Sequence, residues 1–214
     1  MKKELIKYPS SQTLFNYYRD NNNLLDKKGG NTIRLKNLYN YLASYTTYPD
    51  YLLIGEAPGI KGCRFSGVPF TSERQLVEKI LPFYGQQSSK FSPPYTENTA
   101  SIFWNTLKEH FPSFFIWNSV PFHPHPSGNY EKNRKPTKDE IELFAELTEN
   151  IIGILQPKKI IAIGKTAKYL EKCIKNLKMT QVRHPSYGGK QEFVIQINKL
   201  FGKKIVKLTR KTLF

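Results

Sequence analysis

"YLLIGEAPG" (residues 51–59) decides the fold. A short, nearly unbroken apolar run ends in a glycine-proline turn, with one carboxylate, Glu56, where the run gives way to the turn. Apolar runs without alternation are typical of strands buried on both faces, and such strands belong to parallel sheets covered by helices on either side. Open α/β sheets bind their ligands just outside the carboxyl ends of their strands. Glu56 therefore stands where a ligand site is expected, although a solvated loop carboxylate would leave the same trace in the sequence.

Three more runs extend the pattern: "FFIWNSV" (114–120), "KIIAIG" (159–164) and "MTQVRH" (179–184), the last more polar and suited to a sheet edge. Helical patterns separate them. One spans 72–85, from a Ser72 cap to Gly85, and another spans 96–111, beginning at Thr96. A third spans 137–155, where Thr137 followed by Glu140 forms a capping box. Two further helices, over 11–20 and 32–45, precede the first strand. The expected fold is a three-layer α/β/α sandwich with a short, mainly parallel central sheet whose strand ends share one crevice. Residues 1–214 suit a single domain, with 1–45 as an N-terminal helical segment packed on it.

The chain carries 33 Lys and Arg against 17 Asp and Glu, a net charge of +16 that attracts polyanions and makes nucleic acid the natural partner. Lysine-rich helical surfaces such as "KYLEKCIKNLK" could serve solubility alone. The 13 tyrosines and 14 phenylalanines could offer stacking platforms for bases, though most belong to a core. No long apolar run and no apolar stretch behind the charged start "MKKELIKYPSSQ" suggest a membrane span or secretory signal, which points to the cytoplasm. Cys63 and Cys173 are too few for a four-thiolate cluster, and His123 and His125 in "HPHP" lack a third ligand, so no metal is expected. "IAIGKTAKYL" lacks the full phosphate-loop pattern. No cofactor is called for.

The strand ends deliver Glu56, Asn118, Gly164-Lys165-Thr166 and His184 to one rim. An Asn amide offers a donor beside an acceptor, which suits the imide edge of a pyrimidine, and a histidine can donate to a carbonyl oxygen. Singly, an Asn at a strand end is as readily a turn residue.

Taken in order, these motifs resemble the uracil-DNA glycosylase superfamily from Tyr51 to about Phe193. "GEAPG" (55–59) is similar to its first motif, and "SGVPF" (66–70) to the segment supplying the aromatic on which uracil stacks, here Phe70. "WNSV" (117–120) is similar to the strand whose Asn reads the base edge, here Asn118, and "HPS" (184–186) to the motif whose His contacts the pyrimidine O2. The resemblance implies hydrolysis of the N-glycosidic bond of uracil in DNA after base flipping, by a monomer acting on single- or double-stranded DNA. Glu56 and His184 would be catalytic. Gly55, Ala57, Gly59, Phe70 and Asn118 would line the base pocket, while Lys132, Arg134, Lys135, Ser186, Tyr187 and Lys190 would face DNA.

The Glu in the first motif resembles the thermophile-type and related bacterial subgroups, but the four cysteines of their iron-sulfur cluster are absent here. Ala57 stands where the best-known branch carries a water-activating Asp, which leaves that task to Glu56 and keeps open a silent DNA-binding relative or a glycosylase for another damaged base. Tyr187, flanked by Gly188 and Gly189, replaces the intercalating apolar residue. Gly59 stands where that branch has a tyrosine barring thymine, so the sequence predicts an open wall and weaker activity on 5-substituted uracils.

Overall fold

The structure is a computed structural model that describes residues 1–202; the remainder of the expected domain, 203–214, lies outside the described residues. The amino-terminal part contains α1 (Lys2–Lys7), β1 (Leu14–Phe15) and α2 (Gly30–Ala43). β2 (Tyr51–Gly55) leads through α3 (Cys63–Ser66), α4 (Glu73–Val77) and α5 (Asn98–Leu107) to β3 (Phe114–Asn118). A short β4 (His123–Pro124) precedes α6 (Lys138–Leu143), α7 (Ala145–Leu155) and β5 (Lys159–Ile163). α8 (Leu170–Cys173), β6 (Thr180–Val182) and α9 (Lys190–Phe201) complete it.

The central sheet has the order β3-β2-β5-β6, and each neighbouring pair is parallel, as the unalternated apolar runs predict. β2 pairs Gly55 with Asn118 of β3, which fixes the two strand ends side by side. Leu52, Leu53, Ile54, Ile116, Ile161 and Ile163 are inaccessible to solvent, so both faces of the sheet are covered. From β2 the chain turns to β3 on one side and to β5 on the other. The carboxyl ends of β2 and β5 therefore flank a topological switch point, where such sheets open a crevice. Among the described residues, no helix is long and apolar enough to cross a membrane.

Helix boundaries depart from the sequence pattern where turn chemistry wins. Residues 11–20 are not helical: Leu14–Phe15 pair antiparallel with His123–Pro124. The Asn16 amide donates to the carbonyls of Leu5 and Tyr8, both at 2.7 Å, holding a turn instead. The helix from Ser72 stops at Val77, because Lys79 takes a left-handed backbone (φ 55°) and Pro82 follows. α5 starts at Asn98 rather than at Thr96. The capping box forms as expected: Glu140 N–H donates to Thr137 Oγ1 at 3.2 Å and Thr137 N–H to Glu140 Oε2 at 2.8 Å. Its helix nevertheless breaks at Phe144 into α6 and α7.

A buried charge cluster anchors the amino-terminal part. Asp26 accepts from Arg34 at 3.2 Å and Arg64 at 2.6 Å, all three out of solvent, and the Arg64 guanidinium lies over the rings of Phe15 and Phe65.

Candidate active site

At the carboxyl end of β2, the Glu56 carbonyl accepts from Ser119 Oγ at 2.7 Å and from Val120 N–H at 3.1 Å. The main chain of the first motif is thus tied to the segment that follows Asn118. The half-buried Glu56 carboxylate makes no hydrogen bond or ion pair among the described residues.

Gly55 is a glycine because two side chains occupy the space a Cβ would need. A Cβ there would lie 2.7 Å from Asn118 Oδ1 and the same distance from Phe70 Cζ. Asn118 is buried, yet its amide has no partner among the described residues. Phe70 adopts φ 49°, a left-handed backbone that costs a non-glycine residue of order 1–3 kcal/mol. Its ring stacks on Phe103 at a centroid distance of 4.8 Å and lies 6.0 Å from the His184 ring.

His184 follows β6 and packs beside Gly164 at the end of β5. Ser186 N–H donates to His184 Nδ1 at 3.2 Å, with Ser186 Oγ 2.7 Å from the same nitrogen. A ring nitrogen that accepts carries no proton, so the imidazole proton sits on Nε2, which has no partner among the described residues. Burial, with help from the Arg183 charge, pushes the His184 pKa down to about 4, so the ring is neutral at physiological pH. An unpartnered amide and an unpartnered imidazole N–H thus flank one aromatic ring. A separate groove of about 540 Å³, lined by Lys158, Lys159 and Thr180 at the amino ends of β5 and β6, holds no comparable arrangement.

Gly59 does not face open space. A Cβ there would lie 2.7 Å from Glu97 Oε1, and the same carboxylate covers Gly62. Burial raises the Glu97 pKa to about 7. The wall expected to be open is therefore occupied by a residue from another element. Ala57 is half-buried against the core.

His123 buttresses the same loop. Its Nδ1 lies 2.8 Å from the Pro58 carbonyl and its Nε2 3.3 Å from that of Tyr130. Burial pushes its pKa down to about 4, so the single ring proton suits the shorter contact to Pro58. Asn133 Oδ1 accepts from Ile60 N–H at 2.8 Å, which joins the 127–135 segment to the first motif. Glu97 and Asn133 escaped the sequence reading, and His123 was read only as half of a histidine pair without a third metal ligand. Glu97 left only the trace of an acid at a helix start, and nothing local marks the other two as neighbours of the motif.

Of the basic candidates, Lys132, Lys135 and Lys190 are exposed. Arg134 is not free: its guanidinium donates to both Glu140 oxygens, at 3.0 and 2.7 Å, and to the carbonyls of Thr13, His125 and Lys135. Its N–H groups are spent on α6, its own loop and the amino-terminal segment, which argues against a DNA contact. Tyr187 is 96% exposed with φ 50°, at the tip of the segment that carries His184 and Ser186.

Residues 44–203 match the family model described as the uracil DNA glycosylase superfamily. Among solved structures, wild-type SMUG2 from Pedobacter heparinus is similar in fold, with a TM-score of 0.58 at 19% identity over 92% of this chain and 94% of that one. No curated protein sequence matches.

Proposed function

This chain belongs to the uracil DNA glycosylase superfamily, and we propose that it acts as a monomeric, cytoplasmic DNA glycosylase that removes uracil and leaves an abasic site. The observation that carries this reading is the pair of polar groups without a partner among the described residues, the Asn118 amide and the His184 Nε2–H, beside the Phe70 ring. A pyrimidine rotated out of the stack would lie against Phe70 and offer its imide edge to Asn118 and a carbonyl oxygen to His184. As the N-glycosidic bond breaks, its electron pair moves to the base. The leaving uracil becomes an anion and the sugar takes on oxocarbenium character. Neutral donors aimed at the base stabilise the first charge without giving up a proton. The unpaired Glu56 carboxylate would face the second and orient the attacking water. The water's oxygen bonds to the sugar carbon, and its proton passes to Glu56 or to solvent.

Ala57, in place of a second carboxylate, favours one competing reading, a relative that binds DNA without cleaving it. A labelled uracil-containing oligonucleotide, incubated with the protein and then treated with alkali, separates the two. Strand cleavage at the uracil supports the glycosylase, and retention of intact strand despite binding supports the silent relative.

A further inference from the structure

Glu97 immediately precedes α5, the helix that returns the chain from the carboxyl edge of the sheet to the start of β3. Its position is therefore on the same rim as Glu56. Its carbonyl accepts from Ser101 N–H at 3.0 Å, as a cap residue's does, but its carboxylate does not cap the helix. The side chain turns instead onto the 56–62 loop, where the absence of side chains at Gly59 and Gly62 makes a seat for it. No hydrogen bond or ion pair holds the carboxylate there among the described residues.

Among the described residues, none of the charged and titratable groups around that seat pairs with the carboxylate. Cys63 of α3 is pushed up to about 12 by burial and stays a neutral thiol. Tyr95, two residues back, is also raised and neutral. Glu56 and Lys61 on the loop itself, and Glu131 on the segment whose Asn133 holds Ile60, make no ion pair with Glu97. A half-buried seat that offers contact but no protein donor, as this one does among the described residues, disfavours the charged form, and a DNA backbone laid over the rim would close off water and favour the protonated carboxyl further.

We propose that Glu97 is a positioning residue that works in its protonated form: the neutral carboxyl seats the 56–62 loop, and Glu56 with it, and loss of the proton unseats it. This rests on the glycosylase reading above. Of the shifted groups around the rim, His184 and His123 are pushed down to about 4 and Cys63 up to about 12, whereas Glu97 is brought to about 7.

The test is the single-turnover rate of uracil excision from a duplex between pH 5.5 and 9. Wild type should lose up to about tenfold per pH unit above about pH 7, the slope of a one-proton requirement. Glu97→Gln, which keeps the shape and has no proton to lose, should show a flat profile over that range, whatever its height. Gly62→Ala, which fills the seat and expels the carboxylate, should also abolish the limb, and it gives the same reading if Glu97→Gln does not fold. An alkaline limb that persists in a folded variant, or a wild type that cleaves with no limb, overturns the role of Glu97 and leaves the glycosylase reading standing. A wild type that cleaves at no pH removes the glycosylase reading, and this proposal with it.

Discussion

Asn118 and His184 reach the site from opposite halves of the sheet, and each presents a group without a partner among the described residues. Replacing either with Ala should lower the single-turnover rate by roughly two to three orders of magnitude, the range for losing one oriented donor. Thermal unfolding should stay near wild type, since neither group bonds across the core. Near-wild-type rates in both folded variants would show that the base is read elsewhere. These two residues were legible because each ends a strand, and strands announce themselves as apolar runs. Glu97 was not, because nothing local tells an acid at a helix start which loop it will face. The neighbour that fills the space beside Gly59 was hidden for the same reason, because a glycine's surroundings depend on residues far along the chain, here Glu97.

At the level of elements, all four strands of the central sheet were legible and the short helices were not. Buried parallel strands need unbroken apolar residues, whereas a two-residue pairing such as β1 with β4 is set by tertiary contacts. The 127–135 segment shows how one element divides its labour. Arg134 binds Glu140 and three carbonyls, while Lys132 and Lys135 point to solvent. Arg134→Gln should cost about 1.5–3 kcal/mol of stability, the worth of hydrogen bonds to a charged group, and leave the salt dependence of DNA binding unchanged. Lys132→Gln should do the reverse, reducing the log-log salt slope by about one contact if it meets a phosphate. Denaturant melts and filter binding at several salt concentrations would check both halves. An Arg134 variant of native stability with a shallower salt slope would assign that residue to DNA after all.

For the molecule as a whole, proton linkage sets the response to acid. His123 and His184, both pushed from 6.5 to about 4, bind fewer protons folded than unfolded within that window, so each withdraws stability as the pH falls through it. Glu97, raised from 4.5 to about 7, has the opposite sign and withdraws stability as the pH rises through its window. Two protons oppose one where the windows overlap, so the melting temperature should fall on acidification below about pH 6.5. His123→Asn, which can still donate to the Pro58 carbonyl, leaves one against one and should flatten the curve above about pH 4.5. An unaltered slope in that variant would contradict the neutral His123. The pairing of β1 with β4 bears on how the protein is made. During synthesis Leu14 and Phe15 leave the ribosome long before His123 and Pro124 exist to receive them, as does Tyr17, whose hydroxyl bonds the Pro121 carbonyl. This apolar segment must therefore wait, unpaired and prone to wrong partners, until residue 124 has emerged, so a nascent chain stalled before residue 121 is a form in need of a chaperone.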